Sequence, residues 1–249
     1  MRALRSLVAV LSFLVSTALA SGQTVSSRDG FALPAIGVSP AIVIGFLGGF
    51  VGHNNAVHGG VKLAAHLREV YPAGVYVQVY ENRRGKQAYE QILQLLDADH
   101  DGTLSPEEKR HARIVLYGHS WGASETVNVA RKLEKNGIPV LLTVQVDSVR
   151  KPGENDSVIP SNVLQAANFY QPSGIVRGRT QVRPADPART RVIGNFEFDY
   201  TQHPIACTGY PWYALAFERS HIEIECDPAV TTQVESLIRS ALLADRTNP

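Results

Sequence analysis

The pentapeptide GHSWG at residues 118–122 places a serine between two glycines with the spacing GxSxG. It directly follows an apolar, strand-like run at residues 113–117 and directly precedes a helix-like segment that begins at Ala123. A serine at the apex of so sharp a strand-to-helix turn has a strained backbone, and side chains at the two glycine positions would collide with the neighbouring elements. This context predicts that the hydroxyl of Ser120 acts as a nucleophile.

In this setting, GHSWG resembles the nucleophile elbow of the α/β-hydrolase superfamily, specifically of its serine esterase, lipase and thioesterase members. The resemblance extends from residue 41 or so to the end of the chain. It implies an α/β fold with a mostly parallel central sheet and helices on both faces. It also implies that Ser120 is the nucleophile and that an acid and then a histidine follow it in the chain to complete a catalytic triad.

Two histidines follow the pentapeptide and are candidates for the general base. His221 is preferred over His203 because it precedes a predicted C-terminal helix, on what is expected to be a loop, where the resembling family carries its base. Asp147 directly follows a strand-like run, and the carboxyl ends of parallel strands converge on one edge of a sheet, so its carboxylate can orient an imidazole. Asp199, which follows another strand-like run, is the alternative acid.

The resemblance also implies two backbone amides that stabilise the oxyanion formed during acyl transfer. One is the amide of Trp121, which directly follows the serine. The other comes from the glycine-rich loop at residues 45–49, where Phe46 is the first choice for the donor and Leu47 the second.

A second motif, at residues 97–108, fits the twelve-residue EF-hand calcium loop. The predicted Ca²⁺ ligands are Asp97, Asp99, Asp101, the carbonyl of Thr103, Ser105 and Glu108. Gly102 occupies the position at which this loop turns sharply. Because the loop is single and lies between a helix-like segment and the strand that leads to Ser120, we expect a structural ion and not a paired calcium sensor. No organic cofactor is indicated.

The elements that would position these groups alternate between apolar strand-like runs and amphipathic helix-like segments. Strands are predicted at residues 41–45, 75–80, 113–117, 138–146, 168–171 and 191–198. Helices are predicted at residues 57–70, 87–96, 123–135 and 228–243. Because parallel strands need a crossover helix, the alternation itself predicts a parallel sheet in a single domain over residues 21–249. The Pro- and Gly-containing stretch at residues 150–187 is predicted to form a cap over the sheet edge.

The composition and the first residues of the chain bear on compartment and partners. With 44% hydrophobic residues among 249, the chain can bury a core, and 24 basic against 23 acidic residues give no charge excess for binding nucleic acid. Residues 1–20 have the basic start, short apolar run and small-x-small ending at Ala20 that are typical of a signal peptide. No segment is apolar over the roughly 20 residues of a membrane span. Cys207 and Cys226 are expected to form a disulfide in an exported protein.

These features predict a secreted or periplasmic serine hydrolase that cleaves a small-molecule or lipid ester, or a thioester, through an acyl-enzyme on Ser120. The alternative is a non-catalytic, calcium-dependent binding module that has kept the same fold. The order of serine, acid and histidine, together with the glycine-rich loop, favours the hydrolase.

Overall fold

Eight strands are present in the computed structural model, which describes residues 39–244. In chain order they are β1 (Ala41–Leu47), β2 (Val75–Glu81), β3 (Ile114–His119), β4 (Val140–Val146), β5 (Val158–Ile159), β6 (Val163–Tyr170), β7 (Arg183–Pro184) and β8 (Arg191–Glu197). Six of them form a parallel sheet in the order β2-β1-β3-β4-β6-β8, and β5 and β7 form a separate parallel pair. The signal peptide predicted for residues 1–20 lies outside the described residues.

Helices cover both faces of the six-stranded sheet. They are α1 (Gly59–Val70), α2 (Gly85–Leu96), α3 (Pro106–Arg110), α4 (Trp121–Lys135), α5 (Trp212–Phe217), α6 (Arg219–Cys226) and α7 (Pro228–Ala244). Apolar residues of α1, α6 and α7 join one hydrophobic core, and those of α2 and α4 join a second core on the opposite face. The fold class is therefore α/β, as predicted. None of these helices is long and apolar enough to span a bilayer.

The central strands form where the sequence is continuously apolar. Every residue of β1, β3 and β4 is buried, because each strand has neighbours on both edges and helices on both faces. At the edge of the sheet, β8 is half-buried along most of its length and exposed at both ends. Burial thus falls from the centre of the sheet outward, and the buried strand β3 leads directly into the GHSWG turn.

The strand order creates a crevice between two neighbouring loops. After β1 the chain crosses to β2 on one side, and it then returns to β3 on the other side. The loops that leave the carboxyl ends of β1 and β3 therefore diverge, which is the point at which open α/β sheets bind ligands. GHSWG lies at the end of β3, and the glycine-rich loop lies at the end of β1.

The predicted cap at residues 150–187 includes β6, which is a strand of the six-stranded sheet, so only the rest of this stretch lies outside that sheet. The rest of the stretch is attached to the sheet by side-chain amides of three residues in register on β4, β6 and β8. Gln145 donates to the carbonyl of Asp156 at 2.9 Å, and Asn168 donates to the carbonyl of Arg179 at 2.8 Å. Asn195 accepts from the amide of Val182 at 2.8 Å.

The two helices around His221 were not predicted from the sequence. The segment that contains His221 was expected to be a loop, but it forms α6, preceded by the short helix α5. Residues 221–225 are all buried in succession, so the segment lacks the alternation of buried and exposed positions by which a surface helix is recognised. The predicted disulfide between Cys207 and Cys226 is confirmed, with 6.0 Å between the two Cα atoms.

Candidate active site

Ser120 occupies the sharp turn between β3 and α4. Its φ is +58°, in the left-handed region that residues with a side chain rarely adopt. The flanking glycines are sterically required: a Cβ at Gly118 would lie 2.5 Å from the carbonyl oxygen of Gly122, and a Cβ at Gly122 would lie 2.1 Å from that of Phe46. The backbone amide of Ser120 donates to the carbonyl of Val146 at 3.0 Å, which holds the turn beside the end of β4.

His221 and Asp147 form a buried pair next to this turn. Nδ1 of His221 lies 2.6 Å from Oδ2 of Asp147, and the aspartate is fully buried. Asp147 also has a positive φ, +42°, which turns the chain at the end of β4. Its other hydrogen bonds come from the side chain of Gln171 at 2.9 Å and from the amides of Gly178 at 2.8 Å and Gln171 at 3.3 Å. Four hydrogen-bonding groups, including the ring of His221, thus converge on one carboxylate and hold its orientation.

The structure brings three of the predicted residues to one edge of the sheet. Within residues 39–244, the ring of His221 forms its side-chain hydrogen bond with Asp147 and none with Ser120. Such bonds between base and nucleophile are often long before substrate binds. The alternative acid, Asp199, is exposed and accepts from the amide and hydroxyl of Thr201 in its own turn. His203, the alternative base, is also exposed.

The loop after β1 approaches the serine through Gly48. A Cβ at Gly48 would lie 2.7 Å from Cβ of Ser120, so the backbone of Gly48 lies against the serine side chain. The two predicted donors are the residues just before it: Phe46 and Leu47 end β1, and Phe46 is in register with residues on both β2 and β3. The residue whose backbone lies against the serine side chain is therefore Gly48, directly after the two predicted donors. Trp121 is the first residue of α4, where helix amides have no partner within the helix.

The glycine-rich loop is held by residues that the sequence analysis did not identify. The side chain of Asn82 donates to the carbonyl of Gly49, and the carbonyl of Asn82 accepts from Lys151 at 2.9 Å. Lys151 also forms a salt bridge with the buried Glu125 of α4. No spacing rule connects positions so far apart in the chain, so only the fold could show this support.

A buried polar cluster lies behind His221 and was also missed. Nε2 of His119 lies 3.0 Å from the backbone carbonyl of His221, and the two imidazole rings are 4.4 Å apart. Nδ1 of His119 lies 3.6 Å from the carboxylate of Glu225. That carboxylate also binds Nδ1 of His58 and the hydroxyl of Tyr210, each at 3.0 Å. His119 was visible in GHSWG, but its neighbours come from distant segments.

Burial and charge act in opposite directions within this cluster. Burial lowers the pKa of His119 to about 4, although the neighbouring Glu225 favours its charged form. Burial raises the pKa of Glu225, but the charge of His119 and the hydrogen bonds from His58 and Tyr210 outweigh burial and hold this pKa at about 2. A negative charge is therefore maintained behind the His119 and His221 rings at neutral pH.

The predicted calcium loop connects α2 with α3 and β3. Carboxylate oxygens of Asp97, Asp99 and Glu108 lie within 4.8 Å of one another. Glu108 also accepts from the amides of Ala98 at 2.7 Å and Ser105 at 2.8 Å, which closes the loop. Of the other predicted ligands, Asp101 accepts from the amide and hydroxyl of Thr103, and the hydroxyl of Ser105 caps α3.

No known protein-family profile matches the chain, and no curated protein matches its sequence. Similar solved structures include a cutinase-like protein from Cryptococcus sp., with 13% identity, a TM-score of 0.43 and coverage of 85% of this chain and 98% of that one. A thermostable esterase from Pseudomonas putida has 14% identity, a TM-score of 0.45 and coverage of 85% and 76%. An acetylxylan esterase has 11% identity, a TM-score of 0.39 and coverage of 83% and 100%. The chemistry of the site is inferred below from its own residues.

Proposed function

We propose that the protein is a serine hydrolase that cleaves a carboxylic ester or thioester through an acyl-enzyme on Ser120. The observation that carries this proposal is the buried 2.6 Å hydrogen bond between His221 and Asp147, which lies directly beside a strained serine turn. A carboxylate, an imidazole and a serine hydroxyl in this chain order and at one sheet edge are the groups that acyl transfer needs.

Each residue has a defined step in the proposed reaction. Oγ of Ser120 attacks the carbonyl carbon while Nε2 of His221 takes the hydroxyl proton, and Asp147 holds Nδ1–H so that Nε2 is free to accept. The tetrahedral oxyanion is stabilised by the amide of Trp121 and by an amide of the loop at Gly48. His221 then gives the proton to the departing alcohol or thiol. A water molecule, deprotonated by the same base, hydrolyses the acyl-enzyme.

The surroundings of the serine favour an ester with an apolar group. Phe50, which follows the glycine-rich loop, is 85% exposed, and its ring contacts the Trp121 ring edge-on at a centroid distance of 5.9 Å. Phe50 belongs to the segment after β1, and Trp121, the first residue of α4, directly follows Ser120. An exposed aromatic pair at this place offers contact area to an acyl or alkyl group of a small-molecule or lipid ester.

Labelling with a fluorophosphonate probe, combined with chromogenic esters of graded chain length, tests the proposal. We expect the wild-type protein to react with the probe and to hydrolyse at least one ester. Ser120→Ala should lose both properties and keep its thermal melting curve, because the glycines and not the hydroxyl impose the turn. Hydrolysis by folded Ser120→Ala would reject Ser120 as the nucleophile. A wild-type protein that is inert to probe and esters, yet binds Ca²⁺, would favour the non-catalytic binding module.

We also propose that the loop at residues 97–108 binds a structural Ca²⁺. Three converging carboxylates, from Asp97, Asp99 and Glu108, support this proposal, because Ca²⁺ prefers several hard oxygen ligands. Closure of the remaining ligands, Asp101, the Thr103 carbonyl and Ser105, would accompany binding. The loop precedes the amino end of β3, whereas Ser120 follows its carboxyl end, so the ion would stabilise the fold without contacting the substrate. Calorimetric titration with Ca²⁺ tests the site, and no heat of binding to the native protein would reject it.

Export is the remaining part of the proposal. The disulfide between Cys207 and Cys226 supports an oxidising compartment, since such bonds are rare where thiols are kept reduced. Mass spectrometry of the natural protein from culture supernatant and periplasm will test it. An exported chain that begins just after Ala20 is expected, and a chain that keeps Met1 inside the cell would contradict it.

A further inference from the structure

A second buried carboxylate lies close to the proposed base. Glu225 is on the same helix as His221, four residues further along, and is only 7% exposed. Its main chain is also tightly enclosed, because a Cβ at Gly59 would lie 2.2 Å from the Glu225 carbonyl oxygen. A buried negative charge is costly unless it is compensated. The compensation here comes from His58 and Tyr210, each 3.0 Å from the carboxylate, whereas His119 lies between Glu225 and the base.

The hydrogen bonds of His119 determine where its proton lies. Its Nε2 faces the backbone carbonyl of His221 at 3.0 Å, and a carbonyl oxygen can only accept, so Nε2 must carry hydrogen. A neutral His119 ring therefore presents a lone pair at Nδ1 toward Glu225, 3.6 Å away. In this tautomer His119 donates no hydrogen bond to Glu225 and does not neutralise its negative charge. The charge can then act on the ring of His221, which is tilted against that of His119 at a centroid distance of 4.4 Å.

We propose that Glu225 is a positioning residue of this site, which fixes the base helix through its hydrogen bonds with His58 and Tyr210 and stabilises the positive charge that His221 acquires in the reaction. The inference rests on the proposed function, because that function assigns His221 as the base. In this arrangement the paired rings of His119 and His221 lie between two buried carboxylates, with Asp147 on one side and Glu225 on the other. Asp147 sets the tautomer of His221, and Glu225 supplies a second negative charge near the two rings.

The groups around the two acids determine the expected pH dependence. Among the described residues, Glu225 is faced by His58 from the start of α1, by His119 from β3 and by Tyr210 from the segment before α5. The ring of His221 is faced by Asp147 and His119. A nearby buried negative charge favours the protonated form of an imidazole and is little screened by solvent. Removal of this charge should make the proton easier to lose.

Glu225→Gln tests this inference, because glutamine keeps the shape and can still accept from His58 and Tyr210 but has no charge. We expect the plateau of kcat/KM to fall by about tenfold, mainly through kcat, since the charge acts on the transition state. We also expect the acid limb of the pH profile of kcat/KM to move to lower pH by about half a unit or more, the order expected for loss of a buried neighbouring charge. Glu225→Asp should recover part of the lost activity.

Glu223→Gln is the matched control. Glu223 lies on the same helix, is 2% exposed and accepts from the amide of Ile205, but its carboxylate is not paired with His119. Removing this carboxylate should leave the acid limb in place, even if it changes thermal stability. If both glutamine variants moved the limb equally, or if folded Glu225→Gln kept the wild-type profile, the inference would be overturned.

A second measurement keeps the inference testable without activity. The imidazole signals of His221 can be followed by NMR through a pH titration in the wild-type protein and in Glu225→Gln. We expect the midpoint of the His221 transition to occur at lower pH in the variant, and an unchanged midpoint would reject the charge coupling. Should Glu225→Gln fail to fold, Glu225→Asp, which draws the charge back from the two rings, should lower the His221 midpoint by a smaller amount, and an unchanged midpoint would reject the coupling. Failure of the proposed function would appear separately, as a wild-type protein inert to fluorophosphonate.

Discussion

Replacing Asp147 by Asn should remove almost all ester hydrolysis and leave the fold in place. Oδ2 of Asp147 accepts from Nδ1 of His221 and from the side chain of Gln171, and Oδ1 accepts from the backbone amides of Gly178 and Gln171. An asparagine side chain has only one acceptor oxygen. Since the two backbone amides cannot turn, the oxygen should stay toward them and the NH₂ group should replace Oδ2.

This substitution changes which ring nitrogen of His221 carries the proton. The side-chain amide of Gln171 is held in place, because its NH₂ group donates to the carbonyl of Val176 and its oxygen accepts from the amide of Ser173. His221 therefore responds to the new NH₂ group by making Nδ1 an acceptor. The ring proton then lies on Nε2, which is the atom that must receive the proton of Ser120. The corresponding change in another Ser-His-Asp enzyme lowers kcat by about 10⁴-fold, and we expect a loss of this order. It equals about 5 kcal/mol of transition-state stabilisation.

Steady-state hydrolysis of a chromogenic ester by the wild type, Asp147→Asn and Asp199→Asn measures this loss. Asp199→Asn is the control, because Asp199 is exposed and, within residues 39–244, its side chain accepts hydrogen bonds from Thr201 of its own turn. It should retain the wild-type kcat. Thermal melting of each variant separates loss of catalysis from loss of fold. High activity in folded Asp147→Asn, or a comparable loss in Asp199→Asn, would refute the reasoning.

The other predictions concern stability and the turn around the serine. Reduction of the disulfide between Cys207 and Cys226, which are 19 residues apart, should lower the free energy of unfolding by about 3 kcal/mol, measurable by urea unfolding with and without reductant. Calcium should raise the Tm in proportion to the logarithm of its free concentration above Kd, and combined Asp97→Ala and Glu108→Ala substitutions should abolish that rise in a calorimetric melt. Gly122→Ala should abolish labelling by fluorophosphonate, because the added Cβ would lie 2.1 Å from a backbone oxygen, and unchanged labelling would contradict that steric requirement.

Much of the fold was predictable because its determinants are local. Continuous apolar strands and amphipathic helices alternate along the first half of the chain, and each crossover between parallel strands needs a helix. The serine turn is local in the same sense: Gly118 and Gly122 are each required by backbone atoms that lie within the turn or against it. The disulfide followed from there being only two cysteines. The helix α6 could not be predicted in this way, since its buried residues follow one another without a period.

The sequence alone left Asp147 and Asp199 as candidates for the acid, and the tertiary structure places Asp147, not Asp199, against His221. Both residues follow strands, so their local patterns are alike. Only the packing of α6 against the end of β4 brings His221 within 2.6 Å of Asp147 and leaves Asp199 exposed. The contact between His58 and Glu225 spans 167 positions in the chain, and no periodicity or motif spacing encodes such a pair. The local sequence thus identified the residues that could act in the site, and long-range packing of the buried elements determined which of these side chains contact one another.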